Sequence, residues 1–307
     1  MSGFNRRTFL AATAGAATLV ATAGTRTHAA EDPAPPPQVP LGNTGITMSR
    51  VGQGTGMHGG NRQSDHSRMG FQRFVSLMRH SYDRGITFFD MADLYGTHVY
   101  FREALRTIPR DKITILTKLW WRYDQKMWDA GPAAIKQVVN FTLDRFRHEL
   151  TTDYLDIVLL HCMGETGWPQ TLAPYMDALD EAKDKKKIRA VGVSCHDLGA
   201  LKTAAACPWV DVLLARINPK GAKMDGSVEE VVPVLQEAKA NGKAIIGMKI
   251  FGEGTLIEQK QECIQYAQTA GIVDSMTIGF EKPEYVDDTL GLMSQYPVSQ
   301  VGTGSTP

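Results

Sequence analysis

Cysteine is scarce in this 307-residue chain, and the four present, Cys162, Cys195, Cys207 and Cys263, lack the paired spacing that builds a zinc or iron–sulfur site. No metal is therefore expected. An excess of either charge is missing too: lysine and arginine total 33, as do aspartate and glutamate, which leaves no basic surplus for a nucleic-acid backbone. The apolar run at 11–24 is too rich in alanine and glycine to make a membrane-spanning helix. What is present, 43% hydrophobic and 21% charged residues, is the composition of a globular chain with a sizeable core.

The first 29 residues differ from the rest. Asn5-Arg6-Arg7-Thr8-Phe9-Leu10 precedes the small-residue run, and Thr27-His28-Ala29 puts small side chains at the two positions a signal peptidase reads. Residues 1–29 resemble a twin-arginine export signal. The resemblance implies passage through the twin-arginine machinery as a folded protein, a periplasmic or otherwise extracytoplasmic location, and no membrane span once the segment is removed. Its removal takes away Arg6, Arg7 and Arg26 and no acid, leaving a mildly acidic chain. A protein folded in the reducing cytoplasm before export is expected to keep free thiols. Residues 30–40, with five prolines between Glu31 and Pro40, read as an extended linker, 41–300 as one domain and 301–307 as a tail.

Leu41-Gly42-Asn43-Thr44-Gly45-Ile46 reads as a small hairpin with a Gly/Asn turn. From Arg50 onward, short apolar runs alternate with longer amphipathic ones. Strands are predicted at 51–54, 87–90, 113–117, 155–160, 190–194, 212–215, 245–248 and 275–278. Helices are predicted between them, including 133–150 and a segment at 227–240 opened by a Ser227/Glu230 capping box. Strands separated by helices pair in parallel, and strands apolar throughout are buried on both faces. Eight such units in about 250 residues match an α/β fold of the TIM (β/α)8 barrel type; a doubly wound open sheet shares the alternation, and polar residues at the ends of several different strands favour the barrel.

The polar residues sit where a barrel carries its chemistry. Asp90 closes the second predicted strand, with Tyr95 five residues on; Lys118 closes the third and His161 the fourth. Singly, each has a structural explanation: a capping Asp, a snorkelling Lys, a satisfied core His. Together with their flanks they resemble the aldo-keto reductase superfamily over about residues 38–296. Leu41-Gly42-Asn43-Thr44-Gly45 is similar to that family's opening hairpin and Gly52-Gln53-Gly54-Thr55 to its first strand-end loop. Thr152-Asp153-Tyr154-Leu155-Asp156 and Lys187-Ile188-Arg189-Ala190-Val191-Gly192-Val193-Ser194 resemble the entries to its fourth and fifth strands. The resemblance implies an NAD(P)-dependent oxidoreductase that reduces an aldehyde or ketone, sugar-like compounds included, to an alcohol. Tyr95 would be the general acid, with Lys118 lowering its pKa from about 10, Asp90 holding Lys118, and His161 donating to the carbonyl oxygen.

The same resemblance assigns a cofactor set. Gly54, Thr55 and Asp90 lie at the first two strand ends, and Ser194 stands at the nicotinamide position, with Cys195 where the family usually has Asn. Met248, Lys249, Ile250, Phe251, Gly252 and Gly254 form a loop expected to approach the pyrophosphate; Phe280, Lys282 and Asp288 belong to the adenosine segment, and Lys249 and Arg216 are candidate compensating cations, an ordinary solvated charge being the alternative for either. NADP is the family expectation. Phe280 and Tyr285 replacing polar side chains, with Glu281 adding negative charge, leave NAD open. Met57, His58, Trp120, Trp121 and Trp168 are the candidate substrate pocket, where flat rings suit a sugar or an aromatic carbonyl and Arg122 could meet an anionic group. Loop packing by the same aromatics is the alternative. Two rival functions stay open: a redox-neutral enzyme that retains its dinucleotide, and a barrel without turnover that serves as a binding module.

Overall fold

The computed structural model describes residues 32–298, so the export signal expected at 1–29 and the tail at 301–307 lie outside the described residues. The hairpin comes first. Strand β1 (Gln38–Pro40) pairs antiparallel with β2 (Thr47–Ser49), and 41–46 is the turn, closed by Leu41 N–H donating to the Ile46 carbonyl at 2.9 Å. Pairing thus begins inside the segment read as linker. Proline is compatible with an edge strand because the N–H it lacks faces away from the partner.

Eight parallel strands then close into a barrel: β3 (Val51–Gly54), β4 (Phe88–Asp90), β5 (Thr114–Leu119), β6 (Leu155–Met163), β7 (Ile188–Cys195), β8 (Val212–Arg216), β9 (Ala244–Met248) and β10 (Ser275–Ile278). Each pairs with the next, and β10 returns to β3 with Met276 opposite Val51. Period-two alternation divides the apolar side chains between two cores. Ile157 and Leu159 of β6 join Phe88, Leu116, Val212 and Ile246 in one cluster, with Leu41, Ile46 and Met48 of the hairpin packed into it. Val158 and Leu160 belong to the other cluster, which the surrounding helices cover.

The helix Val228–Ala240 starts at Ser227 with the expected reciprocal cap, the Ser227 side chain accepting from Glu230 N–H and Glu230 accepting from Ser227 N–H. All four cysteines are free thiols. Among the described residues, no helix is long and apolar enough to cross a membrane.

Candidate active site

Parallel strands deliver their last residues to one rim of the barrel, and four polar side chains meet there. Lys118 of β5, 1% exposed, is ion-paired with Asp90 at the end of β4, donates to the Met91 carbonyl at 3.0 Å, and reaches the Tyr95 hydroxyl at 3.3 Å. Tyr95 ends a short 3-10 turn, Asp93–Tyr95, stopped by Gly96 in the left-handed region at φ 65°. Its hydroxyl lies 3.5 Å from Nε2 of His161 on β6. The second Asp90 oxygen accepts from Thr277 of β10 at 3.0 Å, a support that the sequence reading missed.

Two glycines were missed as well. Gly54-Thr55-Gly56-Met57-His58-Gly59 has the Gly-x-Gly-x-x-Gly spacing known from dinucleotide loops, but here it makes room for a ring. A Cβ on Gly56 would come within 2.3 Å of the Tyr95 ring, and one on Gly59 within 2.5 Å.

The electrostatics correct one expectation. Burial pushes the Tyr95 phenol up to about 12, and Lys118 offsets only part of that rise, so the net lowering expected from the cation is not found. Burial pulls the Lys118 ammonium down, but Asp90 and Tyr95 together outweigh it and hold its pKa above the usual lysine value. Burial, then Lys118, His196 and Lys249, keep His161 well below the ordinary histidine value. Near neutral pH the site therefore holds a protonated phenol, a charged ammonium and a neutral imidazole. The His161 Nδ1 is buried without a partner, which favours the tautomer carrying its one proton on Nε2, facing Tyr95.

From Tyr95 and Asp90 a cleft of about 540 Å³ extends past the ends of β3, β9 and β10 to the helix Pro283–Gln295. Gly54, Met248, Lys249, Ile250, Phe251 and Gly254 line it, as do Phe280 and Asp288. Other expected cofactor residues do not. Thr55 is buried against Asp90 and Thr97, and the Ser194 hydroxyl accepts from Cys162 N–H at 2.9 Å. Cys195 points into the helix-covered core, and Gly252 is buried in its own turn, donating to the Lys249 carbonyl. The Arg216 guanidinium is engaged by His196 at 2.5 Å and Asp225 at 3.2 Å. Lys282 is exposed, its ammonium 5.4 Å from the Tyr285 ring centre. The outer wall instead presents Glu281, Glu284 and Asp288, together with Lys260, which is ion-paired to Asp288 and was not anticipated.

The aromatic candidates separate in the same way. Met57 lines the cleft, and Trp120 meets His161 edge-on at 5.6 Å. His58 projects outward to Asp65. Trp121, 4% exposed, stacks on Trp128 at 5.7 Å and donates to the His161 carbonyl at 3.0 Å. Trp168, 1% exposed, packs near Trp209. These last two rings are buried as loop packing, where their large apolar area contributes most to stability.

The sequence profile of the aldo/keto reductase family matches residues 50–295. The chain is 29% identical to the aldo-keto reductase YhdN of Bacillus subtilis over 208 residues, covering 65% of this chain and 58% of that protein. It is 26% identical to the NADH-specific methylglyoxal reductase of Escherichia coli over 215 residues, 65% of this chain and 64% of that one. The aligned region thus spans about three fifths of each relative. A thermostable aldo-keto reductase crystallised with the inhibitor epalrestat shares the fold, with a TM-score of 0.65 at 20% identity, covering 86% of this chain and 96% of that structure.

Proposed function

The chain belongs to the aldo/keto reductase family, and from that premise we propose that it reduces a small aldehyde or ketone at the expense of a reduced nicotinamide dinucleotide, with Tyr95 as proton donor. The observation that carries this reading is Lys118 joining Asp90 to Tyr95, with His161 Nε2 at 3.5 Å from the same hydroxyl, at the inner end of a long cleft.

A carbonyl oxygen placed between the Tyr95 hydroxyl and His161 Nε2–H meets two donors aimed at the atom where negative charge develops. The proton leaves Tyr95 Oη for that oxygen. Lys118 then stabilises the phenolate left behind, and Asp90 keeps the ammonium in place. A phenol with its pKa near 12 is fully protonated at neutral pH, the state a reduction needs.

The cleft suits a dinucleotide. Its volume falls in the roughly 300–1,000 Å³ range of small-molecule sites, and Met248, Ile250, Phe251 and Phe280 give it apolar walls. Residues 248–254 would hold the pyrophosphate and 280–288 the adenosine. When bound, the nicotinamide supplies the hydride to the carbonyl carbon. The acidic outer wall disfavours a 2′-phosphate, so NADH serves about as well as NADPH; the NADH-specific relative is compatible with this.

Tyr95→Phe tests the assignment. Loss of one hydroxyl should lower carbonyl reduction by about 10²- to 10⁴-fold, with circular dichroism and dinucleotide affinity retained. Wild-type turnover in this variant would overturn Tyr95 as the donor.

A further inference from the structure

Four cations bear on the Cys162 thiol at the barrel mouth: Lys118, Arg216, Arg122 and Lys249. Three of them are neutralised locally, Lys118 by Asp90, Arg216 by Asp225 and Lys249 by Glu253. Arg122 makes no ion pair among the described residues. Glu165 lines the same small hollow of about 120 Å³, yet it makes no ion pair with Arg122. The guanidinium carbon instead lies 4.3 Å from the Trp121 ring centre and 5.8 Å from that of Trp120.

This arrangement orients the cation. Trp121 is fixed by its stack on Trp128 and by its bond to the His161 carbonyl, so the guanidinium rests against a rigid surface with its N–H groups left to solvent. Such an edge matches the two oxygens of a carboxylate. The neighbouring imidazoles add no charge: burial and then Arg216 bring His196 down to about 3, and His161 is also neutral. The uncompensated positive charge in this set is therefore Arg122.

Trp120 sets the spacing. Its ring is 5.6 Å from the His161 ring and 5.8 Å from the guanidinium carbon, so it adjoins both the proton-donating pair and the cation. A ring-sized spacer lying against Trp120 would therefore adjoin both. We propose that Arg122 selects carbonyl substrates bearing a carboxylate set one ring away from the reacting carbonyl, with that ring packed on Trp120. The inference rests on the reductase reading above and names the substrate class for that site.

The probes are 4-carboxybenzaldehyde and methyl 4-formylbenzoate, which share the ring and the aldehyde and differ in charge. The wild-type protein should favour the acid over the ester in kcat/KM by about tenfold or more, the size of one charged hydrogen-bonded contact. The preference should collapse in Arg122→Gln and persist in part in Arg122→Lys, which keeps the charge without the planar fork. Binding of the acid, read by quenching of tryptophan fluorescence, should weaken in parallel. Equal handling of acid and ester by the wild type, or a preference unchanged in Arg122→Gln, would overturn the proposal while leaving the reductase reading intact. Absence of turnover combined with saturable binding that depends on Arg122 would overturn the reductase reading and leave the anion site standing. Binding indifferent to Arg122 would remove the site as well.

Discussion

At Tyr95 two effects of opposite sign meet, and burial wins: it raises the phenol to about 12 against the pull of Lys118. Replacing Lys118 with Met removes that opposition. The pKa of Tyr95 then rises further, and the phenolate needed for alcohol oxidation becomes rarer at any given pH. The oxidation rate should therefore fall, and its pH profile should shift upward; profiles measured on both proteins settle the matter, and an unshifted profile at full activity would mean that the two groups are uncoupled. Asp90 keeps Thr277 as a partner in this variant, which limits the cost of leaving a buried carboxylate without its cation. The direction of the Lys118 effect was legible in the sequence, since a cation beside a phenol acts in one direction only. Its failure to prevail was not, because desolvation depends on how completely the rim closes around the ring. Trp121 and Trp168 teach a related lesson: their identity announces a large apolar area, but not whether the ring faces a ligand or a neighbouring loop. Gly56 and Gly59 gave a signal, a known spacing, whose use here could be seen only with Tyr95 in place.

Among the elements, the strands were the most legible, because a run apolar at every position has few homes other than a strand covered on both faces. The hairpin was displaced by a few residues. Its first strand lies in proline-rich sequence, and proline advertises a linker more strongly than the edge strand that it also tolerates. The segment following β10 carries a functional consequence. Glu281, Glu284 and Asp288 face the outer cleft, Lys260 is ion-paired to Asp288, and Lys282 lies over the Tyr285 ring, exposed to solvent, so three carboxylates outweigh the cations that a 2′-phosphate would meet there. A dianion brought to this wall would lose hydration and gain little in return. Fluorescence titration of the two reduced cofactors should give affinities within about tenfold of each other, and a preference for NADPH of about a thousandfold, or ~4 kcal/mol, would contradict the reading. The sequence showed the acidic residues of this segment. It did not show Lys260, which opens the helix Lys260–Thr269 ahead of β10 and reaches the cleft only through the fold.

For the whole molecule, the consequence that reaches furthest comes from residues 1–29, which lie outside the described structure. If they direct folded export as Arg6-Arg7 suggests, the protein works where free dinucleotide is not expected, and a reductase must bring its cofactor with it. The cofactor would then be recycled in place by a second substrate or a partner, the redox-neutral mode of action. That requires slow release. Two ion pairs stand on the cleft walls, Lys249 with Glu253 at 2.6 Å and Lys260 with Asp288, and these residues would flank a dinucleotide held in the cleft. Both are partly exposed, so as clasps they are weakened by salt. The mature protein, gently purified and desalted, should keep its dinucleotide for hours at low ionic strength, as read by absorbance and mass spectrometry, and should release it faster in high salt or in Lys260→Ala. Loss within seconds from the wild type at low salt would exclude a carried cofactor. Replacing Arg6 and Arg7 with lysine should in turn leave the protein, still folded and loaded, in the cytoplasmic fraction; unchanged export of that variant would remove the premise and with it the need for retention.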